Sequence, residues 1–301
     1  MISASVANAD RPMVMGVLNV TPDSFFDGGR YDTTERAVAH GLALVAAGAD
    51  IVDVGGESSR PGAVAISVEE ELDRVIPVIA TLAGAVRISV DTVKPAVAVA
   101  AVEAGATLLN DISASLWEVA AGAGARAGAG AGGPVGWVAM HMQGTPRTMQ
   151  AAPHYADVVS EVHRFVLDRA QVAMAAGVAE VWVDPGIGFG KTLEHNLSLL
   201  HHLPELVSAA SAIGCAGVAV GTSRKRFLGV LAAPGQDEPA GLEERAEGSL
   251  ATAVVAMTAG ATLVRVHDVA ATVQAARLYG PGAEQRTGPF GSSSRSGGAA
   301  A

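Results

Sequence analysis

The sequence predicts an α/β protein of a single domain, a (β/α)8 TIM barrel, and three observations carry that prediction. Eight short apolar runs recur along the chain, the stretches between them read as alanine-rich helices, and several of those helices end in the same way. The runs are MVMGVLN (Met13–Asn19), IVDVGG (Ile51–Gly56), RISVDT (Arg87–Thr92) and LLNDIS (Leu108–Ser113). Then come GWVAMH (Gly136–His141), VWVDPG (Val181–Gly186), GVAVGTS (Gly217–Ser223) and LVRVHD (Leu263–Asp268). Continuous apolar runs suit strands buried on both faces, as in parallel sheets. The helix endings AAGAD, EAGAT, AAGVAE and TAGAT each place a glycine where a left-handed residue stops a helix before the next strand. Eight strands, each followed by a helix, close naturally into a barrel. A doubly wound open sheet is the alternative, although so many strands in unbroken order would be unusual for it.

The first helix is expected within TTERAVAHGLALVAAGA, with Thr34 as its N-cap. Two connections exceed what a bare link needs: Val20 to about Asp32, and Glu57 to about Ser67. Long ordered loops tend to be functional. We divide the chain into an N-terminal extension (1–12), the barrel (13–280) and a disordered tail (281–301) that ends GSSSRSGGAAA. The low-complexity stretch Gly122–Gly133 is expected to be a fraying helix and flexible linker without chemistry.

Of the 301 residues, 50% are hydrophobic, enough for a sizeable core. No apolar run reaches the roughly 18 residues of a membrane span, and the N-terminus does not read as a secretory signal. A single cysteine, Cys215, excludes an internal disulfide and fits a reducing, cytoplasmic setting. The net charge of −10 argues against general nucleic-acid binding, which needs a basic face. It leaves room for a small anionic substrate held by a few local cations, because screening acts over about 8 Å.

In such barrels the chemistry gathers where strands run into the loops that follow them. The polar residues at those ends are Asn19, Glu57 to Pro61, Asp91, Asn110 with Asp111, His141 beside Met140, Asp184, Ser223 to Lys225, and Arg265 with His267. Asp111 or Ser223 taken alone could be simple helix caps. The whole set cannot be, since buried charges cost several kcal/mol unless paired. Asp91, Asn110 and Asp184 suit the N–H edge of a flat heterocycle, and Lys225 a ring carbonyl. Arg265 and His267 fall on one side of the last strand, where they would form a cationic pair for phosphate oxygens. Asn19 lies next to them, because the first and eighth strands of a closed barrel adjoin. The residues therefore describe a flat polar ring deep in the mouth with an anionic group at the first–eighth seam.

VDPGIGFGKT (Val183–Thr192) looks at first like a nucleotide-phosphate loop. That pattern requires glycine, four residues, then Gly-Lys-Ser/Thr. Five residues before Gly190 stands Pro185, and Gly186 leaves only three between. The glycines read better as a tight turn over the mouth, with Asp184 as the functional residue and Lys191 at the surface or behind the site. His40, His154, His163, His195, His201 and His202 lack metal-ligand spacing and read as structural or solvated. Glu69–Glu71 and Glu243–Glu244 read as exposed helix faces or first-turn acids.

The motifs MGVLNVTPDSFFDGG, GGESSRPGA, MHMQGTPRTMQ, DPGIGFGKTLEHNL, GTSRKRFLG and RVHDV closely resemble the dihydropteroate synthase family from about Met13 to Tyr279. Phe26 stands where that family commonly has Ser, and NDISAS lacks the Gly-Gly that often follows there. The resemblance implies a transferase that joins 6-hydroxymethyl-7,8-dihydropterin diphosphate to 4-aminobenzoate and releases pyrophosphate. By that resemblance Asp91, Asn110, Asp184 and Lys225 hold the pterin, with Met140 and Phe189 on its faces. Asn19, Arg265 and His267 hold the diphosphate with Mg2+, Asn19 being the metal contact. Phe25, Asp27, Ser59, Arg60 and Pro61 complete the aminobenzoate site from two loops, facing Ser223 and Arg226. Asp91, Asp184, Lys225 and Arg265 are the expected catalytic set, and a homodimer through the outer helices is implied. Two other functions fit a pterin-binding barrel: a methyltransferase module serving a corrinoid system, and a silent paralogue. The first signature, SRK and RVHD speak against the former; the intact Asn19, Asp91, Lys225, Arg265 and His267 speak against the latter.

Overall fold

The structure, a computed structural model, describes residues 11–21, 30–127, 134–236 and 238–279. Eight parallel strands pair in chain order and close on themselves. They are β1 (Met13–Asn19), β2 (Ile51–Gly55), β3 (Arg87–Asp91), β4 (Leu108–Asp111), β5 (Gly136–Met140), β6 (Val181–Asp184), β7 (Gly217–Val220) and β8 (Leu263–Val266). Each lies where an apolar run predicts it, ending up to three residues short of the run. The helices around them are α1 (Arg30–Ala46), α2 (Val68–Leu82), α3 (Pro95–Glu103), α4 (Trp117–Ala127) and α5 (Val158–Ala175). They continue with α6 (Leu193–His201), α7 (Leu203–Ala212), α8 (Arg226–Ala232), α9 (Ala246–Thr258) and α10 (Val269–Ala276).

The sixth and seventh strands are each followed by two helices rather than one. His202 alone separates α6 from α7, and Pro204 stands in the first turn of α7. A proline has no N–H for a continuing helix, so one helix must stop there before the next begins. Thr34 does not cap α1; the helix begins at Arg30, upstream of it. The expected glycine stops are present. At Gly48, Gly105, Gly177 and Gly260 φ lies between 94° and 115°. At each, the next residue's N–H reaches back to the helix, as in Ala49 N to Leu44 O at 3.0 Å. The helical half of the 122–133 segment belongs to α4, and residues 128–133 lie outside the described residues, as do the tail and most of the N-terminal extension. Arg11 is described, and its guanidinium meets Asp50 at 2.8 and 3.1 Å.

Side-chain alternation along the strands divides the barrel into layers. The lower interior is plugged by Met15, Ile51, Leu108, Val138, Trp182, Ala219 and Leu263, a separate cluster from the core between strands and helices. Two residues further on, the same inward face carries Asp53, Asn110, Met140, Asp184 and Arg265. The interior thus changes from dry to polar within one pleat. Below the plug, Glu180 accepts from Arg87 at 2.7 Å and from the Trp182 indole at 2.7 Å, closing the opposite end.

Candidate active site

The rim of the mouth is set by strand register. Asn19 aligns with Gly55, Gly55 with Asp91, and Asp91 with Asn110; on the far side Met140 aligns with Asp184. Four neighbouring strands therefore deliver Asn19, Asp91 and Asn110 to one level with a gap at Gly55. A methyl placed on Gly55 would stand 3.4 Å from Asp91 Cβ and 3.6 Å from Asn19 Oδ1, so glycine leaves a cradle between those side chains.

Arg265 crosses this space. Its Nε donates to Asp53 Oδ2 at 2.6 Å and its Nη2 to Asp91 Oδ2 at 2.8 Å. Asn110 Nδ2 donates to the same Asp53 oxygen at 2.9 Å. Burial raises the pKa of Asp91, against the opposing pull of Arg265. Burial also raises that of Asp184, with Lys225 and the Gly186 N–H (2.6 Å to Oδ1) acting the other way. Lys225 is lowered to about 8, chiefly by burial. It donates to the Ile187 carbonyl and lies 4.6 Å from the Phe189 ring centroid. Met140, buried, stands beside Asp184 in the strand register.

The expected cationic pair on the last strand is not what forms. Arg265 is already neutralised by two carboxylates, and His267 is lowered to about 3 by burial and by the nearby Arg265 charge, so its imidazole is neutral. Ser223 Oγ lies 2.9 Å from His267 Nδ1 and accepts from the His267 N–H at 3.2 Å. Ser223 is therefore a partner of His267 and not a helix cap; α8 has Lys225 at its N-cap position. Asp111 orders the turn ahead of α4: its carboxylate accepts from the N–H groups of Ser113, Ser115 and Leu116 and from the Trp137 indole. The Ala114 between them has φ 51°, the left-handed conformation that a glycine at this position would adopt without strain.

The segment Val183–Thr192 forms the turn the sequence suggests. Gly186, Gly188 and Gly190 all have positive φ (65°, 83° and 64°). A Cβ on Gly186 would fall 1.8 Å from His141 O, and one on Gly190 2.5 Å from Gln143 O. Thr192 caps α6 in a reciprocal box with His195. Lys191 is neither on the surface nor solvated. Buried, it donates to the carbonyls of Gly186 (2.9 Å), Phe189 (3.0 Å) and His141 (3.3 Å) and meets His141 Nδ1 at 3.0 Å. Burial, helped by the Lys225 charge, lowers it to about 7. Lysine is used here because its three ammonium donors match converging carbonyls.

The second loop is pinned from below. Lys94 binds Glu57 at 2.5 Å and also binds Glu71, while Glu57 accepts the Ile66 N–H at 3.0 Å. Glu71 is buried, contrary to its expected place on an exposed face; Glu69 and Glu70 are the exposed first-turn acids. Ser59, Arg60 and Pro61 stand on this loop at the surface end, and Gly62 N donates to Pro146 O of the fifth loop at 3.2 Å. Arg226 is exposed at the start of α8. Phe25 and Asp27 lie outside the described residues. Asp53 joins the site although it is not among the polar strand ends expected from the sequence. Its signal was available: one carboxylate in the middle of an otherwise apolar strand, two residues after the inward Ile51.

The barrel mouth gathers carboxylates, an amide, a lysine and an arginine, and the family model described as pterin binding enzyme matches residues 15–267. The dihydropteroate synthase of Escherichia coli strain K12 is 48% identical over 271 residues, covering 89% of this chain and 90% of that protein. That of Mycobacterium leprae is 45% identical, covering 89% and 92%. Among solved structures, Xanthomonas albilineans dihydropteroate synthase with 4-aminobenzoic acid superposes with a TM-score of 0.78 at 46% identity, covering 93% and 95%. The Yersinia pestis enzyme in a sulfonamide drug complex gives 0.79 at 40% identity, covering 95% and 98%. The chain belongs to the dihydropteroate synthases of the pterin-binding family, and its activity is that of a transferase in folate biosynthesis.

Proposed function

We propose that the mouth holds the pterin ring of 6-hydroxymethyl-7,8-dihydropterin diphosphate through Asp91, Asn110, Asp184 and Lys225, with Met140 and Phe189 on its faces. The observation that carries this reading is that strand register sets Asp91, Asn110 and Asp184 at the mouth above an apolar plug, with Lys225 near enough to Asp184 and Asp91 for their charges to interact. The diphosphate then lies toward Asn19, Arg265 and His267. 4-Aminobenzoate enters between the second loop (Ser59, Arg60, Pro61) and the Ser223–Arg226 segment. The relative from Xanthomonas albilineans was solved with 4-aminobenzoic acid and also in complex with 7,8-dihydropteroate, which supports both halves of the assignment.

In this arrangement the pterin's exocyclic carbon loses pyrophosphate as the aromatic amine approaches. Asp91 and Asp184 stabilise positive charge spreading into the ring, while Arg265 meets the charge growing on the leaving oxygens. Such preorganised electrostatics is usually the largest catalytic contribution. In the dissociative route the C–O bond to the diphosphate breaks first, the unprotonated aromatic amine then forms the C–N bond, and the acidic anilinium proton so created passes to water, so neither a strong base nor a covalent enzyme intermediate is required. Among the described residues no cluster of three acidic, histidine or cysteine side chains forms a protein-only metal site. The single amide oxygen of Asn19, beside the Gly55 cradle, suits a Mg2+ ion that arrives on the substrate's diphosphate, since Mg2+ takes few protein ligands alongside phosphates and water. Bound there, it would neutralise charge on the leaving diphosphate.

We also infer a homodimer joined through outer helices, where Leu231 of α8, Val255 of α9 and Leu278 leave apolar surface exposed, and a cytoplasmic setting suited to the lone Cys215 thiol. No helix among the described residues is long and apolar enough to cross a membrane. The test of the substrate assignment is pyrophosphate release that requires both the pterin diphosphate and 4-aminobenzoate and falls when Asp91 becomes Asn. Release unaffected by Asp91→Asn would overturn it, and a trapped pterin–enzyme adduct would overturn the dissociative route. Chelation of Mg2+ should suppress turnover yet leave binding of a pterin without diphosphate unchanged, read by calorimetry.

A further inference from the structure

Asp53 is fully buried on β2, and its Oδ2 accepts from both Arg265 Nε and Asn110 Nδ2. Its other oxygen, Oδ1, has no hydrogen-bond partner among the described residues, and neither has Ser89 Oγ, which shares its register and inward face on β3. A barrel interior gains nothing from such a carboxylate: burial of a charge is costly, and an apolar side chain would fill the position at lower cost. The pairing explains its presence. Arg265 bridges two carboxylates, and only one of them, Asp91, stands at the rim where a ring would dock. If the pterin takes Asp91, the Arg265–Asp91 bond must open, and without a second anion Arg265 would be left as an uncompensated charge.

We propose that Asp53 is a positioning residue for the transferase reaction, a buried pivot that retains Arg265 by its Nε while Asp91 is released to the pterin. The inference rests on the assignment of Asp91 and Asn110 to the pterin given above. Hinged at Nε, the guanidinium keeps its terminal nitrogens free to turn from Asp91 toward the departing diphosphate. The same carboxylate engages Asn110 Nδ2, which holds the amide against flipping and keeps its oxygen side toward the slot. One buried residue thereby orients the contact for the ring and the contact for the leaving group together.

Substitutions at Asp53, Arg265 and Asn110 test this. Asp53→Asn preserves shape and removes the charge; kcat should fall on the order of 10- to 100-fold, the size of loss seen when residues that orient metal ligands are removed. The KM for 4-aminobenzoate should stay within about twofold, because neither Arg265 nor Asn110 is assigned to that substrate. In an Arg265→Met, Asn110→Ala background the same change should cost little, the non-additivity expected of residues acting through one another. Arg265→Lys keeps the charge but lacks the fork that spans two carboxylates, and should lose as much activity as Arg265→Met. Unchanged kcat in Asp53→Asn, full additivity, or normal turnover in Arg265→Lys would overturn the pivot. If Arg265→Met and Asn110→Ala themselves leave kcat and the pterin KM unchanged, the site assignment fails instead. Arg265→Lys decides the question even if Asp53→Asn does not fold.

Discussion

Gly186 shows how narrowly single residues are constrained at this site. Its φ of 65° is a conformation L side chains avoid, and a Cβ there would lie 1.8 Å from the His141 carbonyl oxygen. The left-handed conformation alone costs about 1–3 kcal/mol for a side chain, and a backbone atom cannot step aside. Gly188, at φ 83°, faces only the flexible Lys225 chain at 2.9 Å. Gly186→Ala should therefore destabilise the fold by more than about 3 kcal/mol and Gly188→Ala by less, as measured by urea unfolding. Asp184, two residues before Gly186, is buried and accepts its N–H at 2.6 Å. Asp184→Asn should weaken pterin binding by about 2–4 kcal/mol in calorimetry, because a carboxylate matched to ring N–H groups becomes an amide that presents a donor.

At the scale of elements, loop position depends on packed anchors. The second loop is fastened by Lys94, ahead of α3, to Glu57 at the loop's start and to Glu71 in α2. Burial alone would lower the Lys94 pKa, but bonds to Glu57 and Glu71 outweigh it and raise it, so the ammonium stays charged. Lys94→Met would strand the Glu71 carboxylate, which is 1% exposed. The expected loss is about 3–5 kcal/mol by denaturant titration. KM for 4-aminobenzoate should rise as well, because Ser59, Arg60 and Pro61 ride on that loop. An unchanged KM in a folded Lys94→Met protein would separate the anchor from substrate binding.

For the molecule as a whole, the buried imidazoles dictate how stability responds to acid. His141 and His267 are each lowered to about 3, mainly by burial, with Lys191 and Arg265 respectively adding to the shift. Their unfolded values lie near 6.5. Below pH 6.5 the unfolded chain takes up protons that the folded one refuses. Each histidine's contribution is therefore intact above that pH and is lost progressively toward pH 3, by up to about 1.4 kcal/mol per pH unit. His267→Asn should flatten the decline in unfolding free energy between pH 7 and 5, by about 2 kcal/mol at pH 5 at most. An equal slope in variant and parent would mean that His267 is protonated in the folded state.

What the sequence determined by itself was what repeats or alternates. Apolar runs, glycine stops and polar strand ends place eight strands, their inward faces and most rim residues, because strand period and helix termination are local properties of the chain. Asp91, Asn110, Asp184 and Arg265 could be read in this way. Tertiary structure decided which charges meet. Arg265 follows Asp53 by 212 positions and Asp91 by 174, and only closure of β8 onto β1 brings it across the mouth to both. The same closure and packing bury Lys191 among carbonyls, place Glu71 beneath Lys94 and leave His267 neutral. Burial and long-range pairing set the charge state of a side chain, and neither is encoded in its neighbours along the chain.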